Sequence, residues 1–325
     1  MKLQILVPQY KETDEVVKPL LDSIAIQQSV DLNEVGVIIV NDGSDVFLSE
    51  EFLSSYPFNI EYYKNKHCGV SATRNKCLEK ATADYVMFCD ADDMFYNACG
   101  LYIIFREFSV EPFDILVSVF TEETRYPPTN EILYINRELD STFVHGKVYR
   151  RQFLIDQKIK FNPKLTIHED SYFNCLAQKC TTNAKYCQTP FYLWKWRNES
   201  VCRHDPKYIL KTYNNMLDSN TALVKELLKR KKDNDAKFYA TSMIYDAYFT
   251  MNKDEWINQE NREYRFNTEK RFKKYYQEFK SLFESIDPAV KAQIIVGIKN
   301  RFFQEGLLME SITFEDWIKH VERDF

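Results

Sequence analysis

Three short apolar runs near the amino terminus, each stopped by a polar turn, constrain this chain more than any other feature. Residues 3–8 end at Tyr10-Lys11-Glu12, residues 35–40 at Asn41-Asp42-Gly43-Ser44, and residues 85–89 at Asp90-Ala91-Asp92-Asp93. Each run is short and dominated by large apolar side chains, the mark of a strand buried on both faces. Between the first two, Val16, Val17, Leu20, Leu21, Ile24 and Ile26 recur at helical spacing, and a second helix is expected over residues 71–81. Residues 58–63 read as a further strand. This alternation predicts an α/β fold, a mostly parallel sheet with helices on both faces. In such sheets ligands gather outside the carboxyl ends of the strands, where all three polar turns fall.

Farther along, short strands (115–120, 132–135, 191–196) mix with helices (about 148–157 and 169–178). After Pro206 the texture changes to long amphipathic stretches rich in Lys, Glu, Tyr and Phe, with Pro288 as the one strong breaker. The expected organisation is an α/β domain over residues 1–205 and a helical extension over 206–325. Aromatics of the extension (Trp256, Tyr264, Phe266, Phe272, Tyr275, Tyr276, Phe279, Phe283) are expected to pack on the first domain or on a second subunit. Self-association is therefore expected through the C-terminal helices.

Composition narrows the function. At 325 residues and 45% hydrophobic the chain can bury a full core, which excludes disorder. No run approaches the ~18 apolar residues of a membrane span, and Lys2 interrupts any leader-like start, so a cytoplasmic protein is expected. From Lys225 to Arg301 there are 17 basic and 12 acidic residues, while the whole chain is −5. An acidic body with a mildly basic tail argues against a general nucleic-acid binder. The basic runs at 229–232 and 270–274 read as solvated helix faces, with contact to an anionic lipid surface or polyanionic acceptor as the alternative. The eight cysteines contain no CxxC and read as reduced thiols. Cys175, Cys180 and Cys187 fit no common zinc spacing.

Three sequence clusters carry chemistry. Carboxylates at i and i+2 after a buried strand, as at Asp90 and Asp92, can share a cleft and hold Mg2+ or Mn2+ together with a diphosphate. Acidic turns are common on surfaces, but Asp42 at the end of a neighbouring strand adds weight. In Gly69-Val70-Ser71-Ala72-Thr73-Arg74-Asn75, Gly69 relaxes a turn, Ser71 can cap the helix and Arg74 can reach a phosphate or base. His168-Glu169-Asp170 opens another helix, where acids either complement the dipole or serve as a general base.

Taken in order, Val7-Pro8 with Tyr10 and Glu12, Asn41 to Ser44, Gly69 to Asn75, Asp90 to Asp93 and Glu169-Asp170 resemble the family 2 glycosyltransferases. His145-Gly146-Lys147-Val148-Tyr149, Phe161 and Trp196-Arg197-Asn198-Glu199-Ser200 look like the stretches flanking the acceptor site in polysaccharide and teichoic-acid transferases. The resemblance covers roughly residues 1–205 and implies a GT-A fold, a nucleotide-sugar donor and Mn2+ or Mg2+. It implies that Pro8, Tyr10, Glu12, Asp42 and Ser44 line the nucleotide pocket, with Arg74 helping to hold the nucleotide. Asp90 and Ala91 would face the ribose or metal-bound water, and Asp92 would ligate the metal, with His204 as a further ligand. Asp170 would be the catalytic base and Glu169 would align a sugar. Arg197 and Ser200 would belong to a loop closing over the diphosphate. Two departures stand out: Thr73 replaces the usual alanine, and Lys11 replaces the usual asparagine after Tyr10.

The implied reaction is an inverting transfer from a nucleotide-diphosphate sugar, a UDP-sugar on family frequency, to a hydroxyl of a glycan, lipid-linked or polymer acceptor. Peripheral contact with the inner face of a membrane would suit such acceptors. Three rivals remain. A nucleotidyltransferase would need a Gly-rich basic loop that residues 8–11 lack. A non-catalytic sugar-nucleotide or glycan binder would not need Asp92, Glu169 and Asp170 together. A transferase acting on modified DNA bases is disfavoured by the acidic body.

Overall fold

A computed structural model describes residues 1–126, 128–137, 142–197, 208–258, 260–304 and 312–324. The chain divides into two compact units, Met1–Ser200 and Val201–Phe325.

The first unit begins with β1 (Leu3–Gln9), α1 (Asp14–Ala25), β2 (Val35–Asn41), α2 (Glu50–Ser54), β3 (Asn59–Lys64), α3 (Val70–Lys80) and β4 (Tyr85–Phe88). There follow β5 (Met94–Phe95), α4 (Gly100–Val110), β6 (Ile115–Ser118), β7 (Phe120–Arg125), β8 (Ile132–Arg137) and β9 (Lys147–Arg150). The unit closes with α5 (Arg151–Asp156), α6 (Glu169–Cys180), β10 (Ala184–Cys187) and β11 (Tyr192–Trp194).

Seven strands form the main sheet in the order β10-β6-β9-β4-β1-β2-β3. All pairings are parallel except the two made by β9. Side chains alternate faces along each strand. Leu3, Ile5 and Val7 join Val35, Val37 and Ile39 beneath Val17, Leu20, Leu21 and Ile24 of α1. On the other face, Leu6, Ile38, Val40, Val86 and Phe88 pack with Cys77 and Leu78 of α3 and Phe173 of α6. The chain builds outward from β1 to β2 and β3, then crosses to β4 on the other side of β1. That reversal opens a crevice at the carboxyl ends of β1 and β4.

Two expectations need correction here. The helix expected over residues 148–157 starts as strand β9, and only Arg151–Asp156 is helical. Val148 and Tyr149 are completely buried between β4 and β6, where a β-branched and an aromatic residue suit the pleat. The strand expected over 115–120 breaks at Val119, and its two parts serve different sheets. The second sheet has the order β5-β11-β7-β8. Its strand β5 follows the Asp90–Asp93 turn directly.

The second unit is helical: α7 (Tyr208–Lys229), α8 (Asp233–Met251), α9 (Asp254–Ile257), α10 (Arg262–Glu284), α11 (Pro288–Gln304) and α12 (Phe314–Asp324). Pro288 takes the first helical position, where its missing N–H costs nothing. Trp256, Phe272, Tyr275, Tyr276, Phe279 and Phe283 are buried, and Phe272 and Phe283 meet Trp317, Tyr245 and Phe314 of the same unit. These aromatics therefore fill the core of the helical unit itself. Phe266 is half exposed and Tyr264 only partly buried. Among the described residues no helix is long and apolar enough to cross a membrane.

Candidate active site

The loops after β1 and β2 are stitched together by their own polar side chains. Ser44 N–H donates to Asn41 Oδ1 (2.8 Å), Asn41 Nδ2 donates to Val46 O (2.8 Å), and Gln9 Nε2 donates to Glu12 O (2.8 Å). Lys11 sits at φ +71°, a left-handed conformation that asparagine tolerates better than lysine. Its N–H donates to Ser44 Oγ (3.2 Å), so the loop is closed despite the departure noted in the sequence. Glu12 accepts from Tyr10 N–H at 2.5 Å; burial raises its carboxyl above the usual range, against that hydrogen bond.

Asp42 is buried and both carboxylate oxygens are engaged. Oδ1 accepts from Cys68 N–H (2.8 Å) and Oδ2 from Gly69 N–H (3.0 Å). Burial works to raise its carboxyl, but the bonds from Cys68 and Gly69 hold it below the ordinary value. His67 Nδ1 lies 3.0 Å from Oδ2, and the His67 ring stacks on the exposed Tyr10 at 4.9 Å. Gly43, at φ +72°, is required: a Cβ there would lie 2.2 Å from His67 N. Pro8 is partly buried at the end of β1.

Helix α3 turns one polar face toward the segment that leads into α6. Ser71 Oγ donates to Leu165 O (2.9 Å), and Asn75 both donates to and accepts from the Phe161 backbone (2.9 Å each). Ser71 is thus not the cap; Gly69, at φ +85°, holds that position. Between them Arg74, only 4% exposed, spans two carboxylates: Nη1 donates to Glu169 Oε1 and Nη2 to Asp90 Oδ1, each at 2.8 Å. Its guanidinium is therefore occupied by protein acids. Burial works to lower its pKa, but Asp90, Glu169 and Asp170 raise it well above normal. Asp170 is partly buried and accepts from Ser171 N–H (2.8 Å). Burial and the neighbouring Glu169 charge push its carboxyl up to about 7, against the pull of Arg74.

The acid turn divides its residues. Asp90 keeps its carboxyl below the usual range because Arg74 and then His145 outweigh the effect of burial. Asp93 is 1% exposed, accepting from Tyr192 Oη (2.5 Å) and Lys195 N–H (2.9 Å). Burial, then the charges of Asp92 and Asp90, push its carboxyl far up. His145 Nε2 lies 3.5 Å from Asp90 Oδ2 and 3.9 Å from Asp93 Oδ2, with its ring stacked between Tyr192 and Phe143. Asp92 points elsewhere, to Arg197 Nη1 at 2.9 Å; Glu12 is 3.8 Å from the same nitrogen. Ala91 is buried.

The structure therefore brings Asp90, Glu169, Asp170 and Arg74 together, and places Asp92 and Glu12 around Arg197. Ser200 and His204 lie outside the described residues. The expected ligand set of Asp90, Asp92 and His204 differs from the group seen here. Ligand atoms of Asp90, Asp93 and His145 lie within 4.8 Å of one another. Two carboxylates and an imidazole fit a small divalent cation, whose charge would relieve the crowding of Asp90, Asp92 and Asp93. Sequence reasoning placed His145 in a stretch flanking the acceptor site and not beside the acid turn, which it reaches only through the antiparallel insertion of β9. It missed His67 because nothing local marks a stacking residue. Asp93 was visible in the motif but indistinguishable from an acidic turn residue.

A buried acid turn at the reversal point of the sheet, one arginine away from a second pair of acids, is the site of a GT-A protein. The chain belongs to glycosyl transferase family 2, whose family model matches residues 4–175. Among curated relatives, the uncharacterized glycosyltransferase YibD of Escherichia coli is 26% identical over 227 residues, covering 62% of this chain and 63% of YibD. The poly(ribitol-phosphate) beta-N-acetylglucosaminyltransferase TarS of Staphylococcus aureus is 25% identical over 193 residues, covering 54% of this chain and 32% of TarS. The chain thus spans less than two thirds of either relative. The crystal structure of S. aureus TarS residues 1–349 superposes with a TM-score of 0.65 at 17% identity, covering 94% of this chain and 92% of that one. The shared fold is the GT-A sheet with a C-terminal helical region.

Proposed function

We propose that this chain is an inverting glycosyltransferase that moves a sugar from a UDP-sugar to a hydroxyl of a glycan or cell-surface polymer. The observation that carries this reading is the position of Arg74, which holds Asp90 of the acid turn and Glu169, the neighbour of Asp170, on one guanidinium. That arrangement sets a base with a carboxyl near 7 beside acids suited to a divalent cation, which would in turn hold a diphosphate. A general base works best when its pKa lies near the operating pH.

Asp170 takes the proton of the acceptor hydroxyl as that oxygen attacks the anomeric carbon. The bond from that carbon to the diphosphate oxygen breaks on the opposite side, so configuration inverts. Glu169 aligns the sugar and, through Arg74, fixes the acid turn. Pro8, Tyr10, Glu12, Asp42 and Ser44 shape the nucleotide side, with the Tyr10 and His67 rings offering a face for a base. Arg197 would close over the diphosphate, the role expected of Ser200 as well, which lies outside the described residues. Bound Mn2+ or Mg2+ would neutralise charge on the departing diphosphate; Asp90 and Asp92 would hold it, with Asp93 and His145 close by and His204 as a further candidate. Positioning of both reactants supplies much of the rate.

The UDP and UDP-GlcNAc complexes solved for TarS 1–349 support a UDP-sugar, and the poly(ribitol-phosphate) acceptor for which TarS is named supports a polymer acceptor. We assign residues 1–205 to catalysis and 206–325 to contact with the acceptor or a membrane surface, on the cytoplasmic side where nucleotide sugars reside. The test begins with metal-dependent thermal stabilisation by UDP-sugars, since a ligand of the native state raises its stability. The product anomer made from the stabilising donor is then read by NMR. A β-linkage from an α-linked donor supports the proposal, and a retained α-linkage overturns it.

A further inference from the structure

Strand β8 is the outermost strand of the four-stranded sheet, and among the described residues no strand pairs with its outer side. All six of its residues are exposed, including four consecutive large apolar ones: Ile132 47%, Leu133 41%, Tyr134 57% and Ile135 43%. Neither Pro nor Lys interrupts the strand. Such an edge is a template for another strand.

The ladder fixes which backbone groups the edge offers. Tyr126 N–H donates to Glu131 O (2.9 Å), and β7 pairs Arg125 with Ile132, Thr124 with Leu133 and Glu123 with Tyr134. Hydrogen-bonded pairs alternate along an antiparallel ladder. Glu131, Leu133, Ile135 and Arg137 therefore direct their backbone groups at β7. Ile132, Tyr134 and Asn136 direct theirs outward.

We propose that this edge pairs with β8 of a second copy of the chain, antiparallel across a twofold axis at Tyr134. In that register Tyr134 faces the partner's Tyr134, and Ile132 faces the partner's Asn136. Each of these pairs is of the hydrogen-bonding kind, giving about six main-chain bonds. Leu133 meets the partner's Ile135, and Glu131 meets the partner's Arg137 at both ends by symmetry. The run from Glu131 to Arg137 is thus complementary to itself read backwards at its ends and centre, with acid on base at each end and Leu133, Tyr134 and Ile135 opposed at the middle. A twofold contact demands that self-complementarity, and a foreign strand would not. Arg137 already pairs with Glu122 at 2.6 Å, but its side chain is 51% exposed and its fork has donors for a second carboxylate. Moving the axis by one residue, to Leu133 or Ile135, would leave only about four of these bonds within the run and would no longer oppose Glu131 to the partner's Arg137. The result is one eight-stranded sheet with β5, next to the acid turn, at each far end. This places self-association at β8 rather than in the C-terminal helices.

Cysteine cross-linking of the full chain tests the register. Directly opposed residues in a hydrogen-bonded pair lie about 5.5 Å apart between Cα atoms, within disulfide range. Mild oxidation of Tyr134→Cys should give a covalent dimer. Ile132→Cys alone should not, but mixed with Asn136→Cys it should. The wild type, with Cys68 and Cys99 exposed, is the control. Tyr134→Pro removes an outward N–H without touching the β7 ladder, so it should halve the sedimenting mass with unchanged circular dichroism. A wild-type chain that is monomeric at every concentration tested overturns the proposal. So does a dimer indifferent to Tyr134→Pro, or equal cross-linking of Ile132→Cys and Tyr134→Cys.

Discussion

Arg74 Nη1 lies 2.8 Å from Glu169 Oε1, joining two residues 95 positions apart in a buried ion pair. The same guanidinium holds Asp90, so one side chain ties the end of β4 to the helix that carries Asp170. Breaking a buried pair from one side leaves an uncompensated charge and costs about 3–5 kcal/mol. Arg74→Met should therefore lower the unfolding midpoint strongly. Arg74→Lys keeps the charge but reaches one acid; losing one charged hydrogen bond costs about 1.5–3 kcal/mol, roughly 10- to 100-fold in rate if felt in the transition state. Turnover of Arg74→Lys close to wild type would refute the tether.

The raised carboxyl of Asp170 has a signed consequence for stability. Its folded pKa of about 7 exceeds the ordinary 3.8, so between these values the folded state holds the proton more tightly. The stability this contributes is full below the unfolded value and is lost as pH rises through about 7. Asp170→Asn lacks that loss. Thermal unfolding should show the variant gaining on the wild type at about pH 8 relative to about pH 4. Equal gaps at both pH values would show that the carboxyl is not raised.

Activity should follow the same group. The acid limb of kcat/KM should rise with pH through about 7 as Asp170 loses its proton. A profile flat from about pH 5 to 8 would exclude Asp170 as the base.

Lys11 carries avoidable backbone strain at φ +71°. Lys11→Gly or Lys11→Asn should stabilise by about 0.5–1 kcal/mol in urea unfolding, and Lys11→Val should destabilise by at least as much. A destabilised Lys11→Gly would mean that the loop is held by the lysine side chain instead.

Gly43→Ala meets both a positive φ and the His67 backbone. It should displace residues 67–69 and free the amides that Asp42 holds, weakening UDP binding as well as stability. Calorimetric titration with UDP on the folded variant checks this; unchanged affinity would separate the loop from the nucleotide.

How much of this was legible depended on how local each signal is. Strands β1, β2 and β4 were readable because strands buried on both faces leave near-continuous apolar runs, broken in β1 only by the buried Gln4 before its end. Val148 and Tyr149 gave the same local signal as a helix start, and only the gap between β4 and β6 decides for a strand. The break at Val119 was hidden because both halves of the run are apolar, one in each sheet. Asp90 and Asp170 could be named from motifs. Their junction through Arg74 could not, since a buried arginine and a surface arginine on α3 look alike until α6 is folded against it.

The most direct test compares wild type and Asp170→Asn in two assays on the same preparation: UDP-sugar binding by calorimetry and sugar transfer under saturating donor. The account predicts donor affinity within about twofold and turnover reduced by roughly 10²–10⁴, the share a positioned base supplies. Turnover like that of the wild type would contradict it.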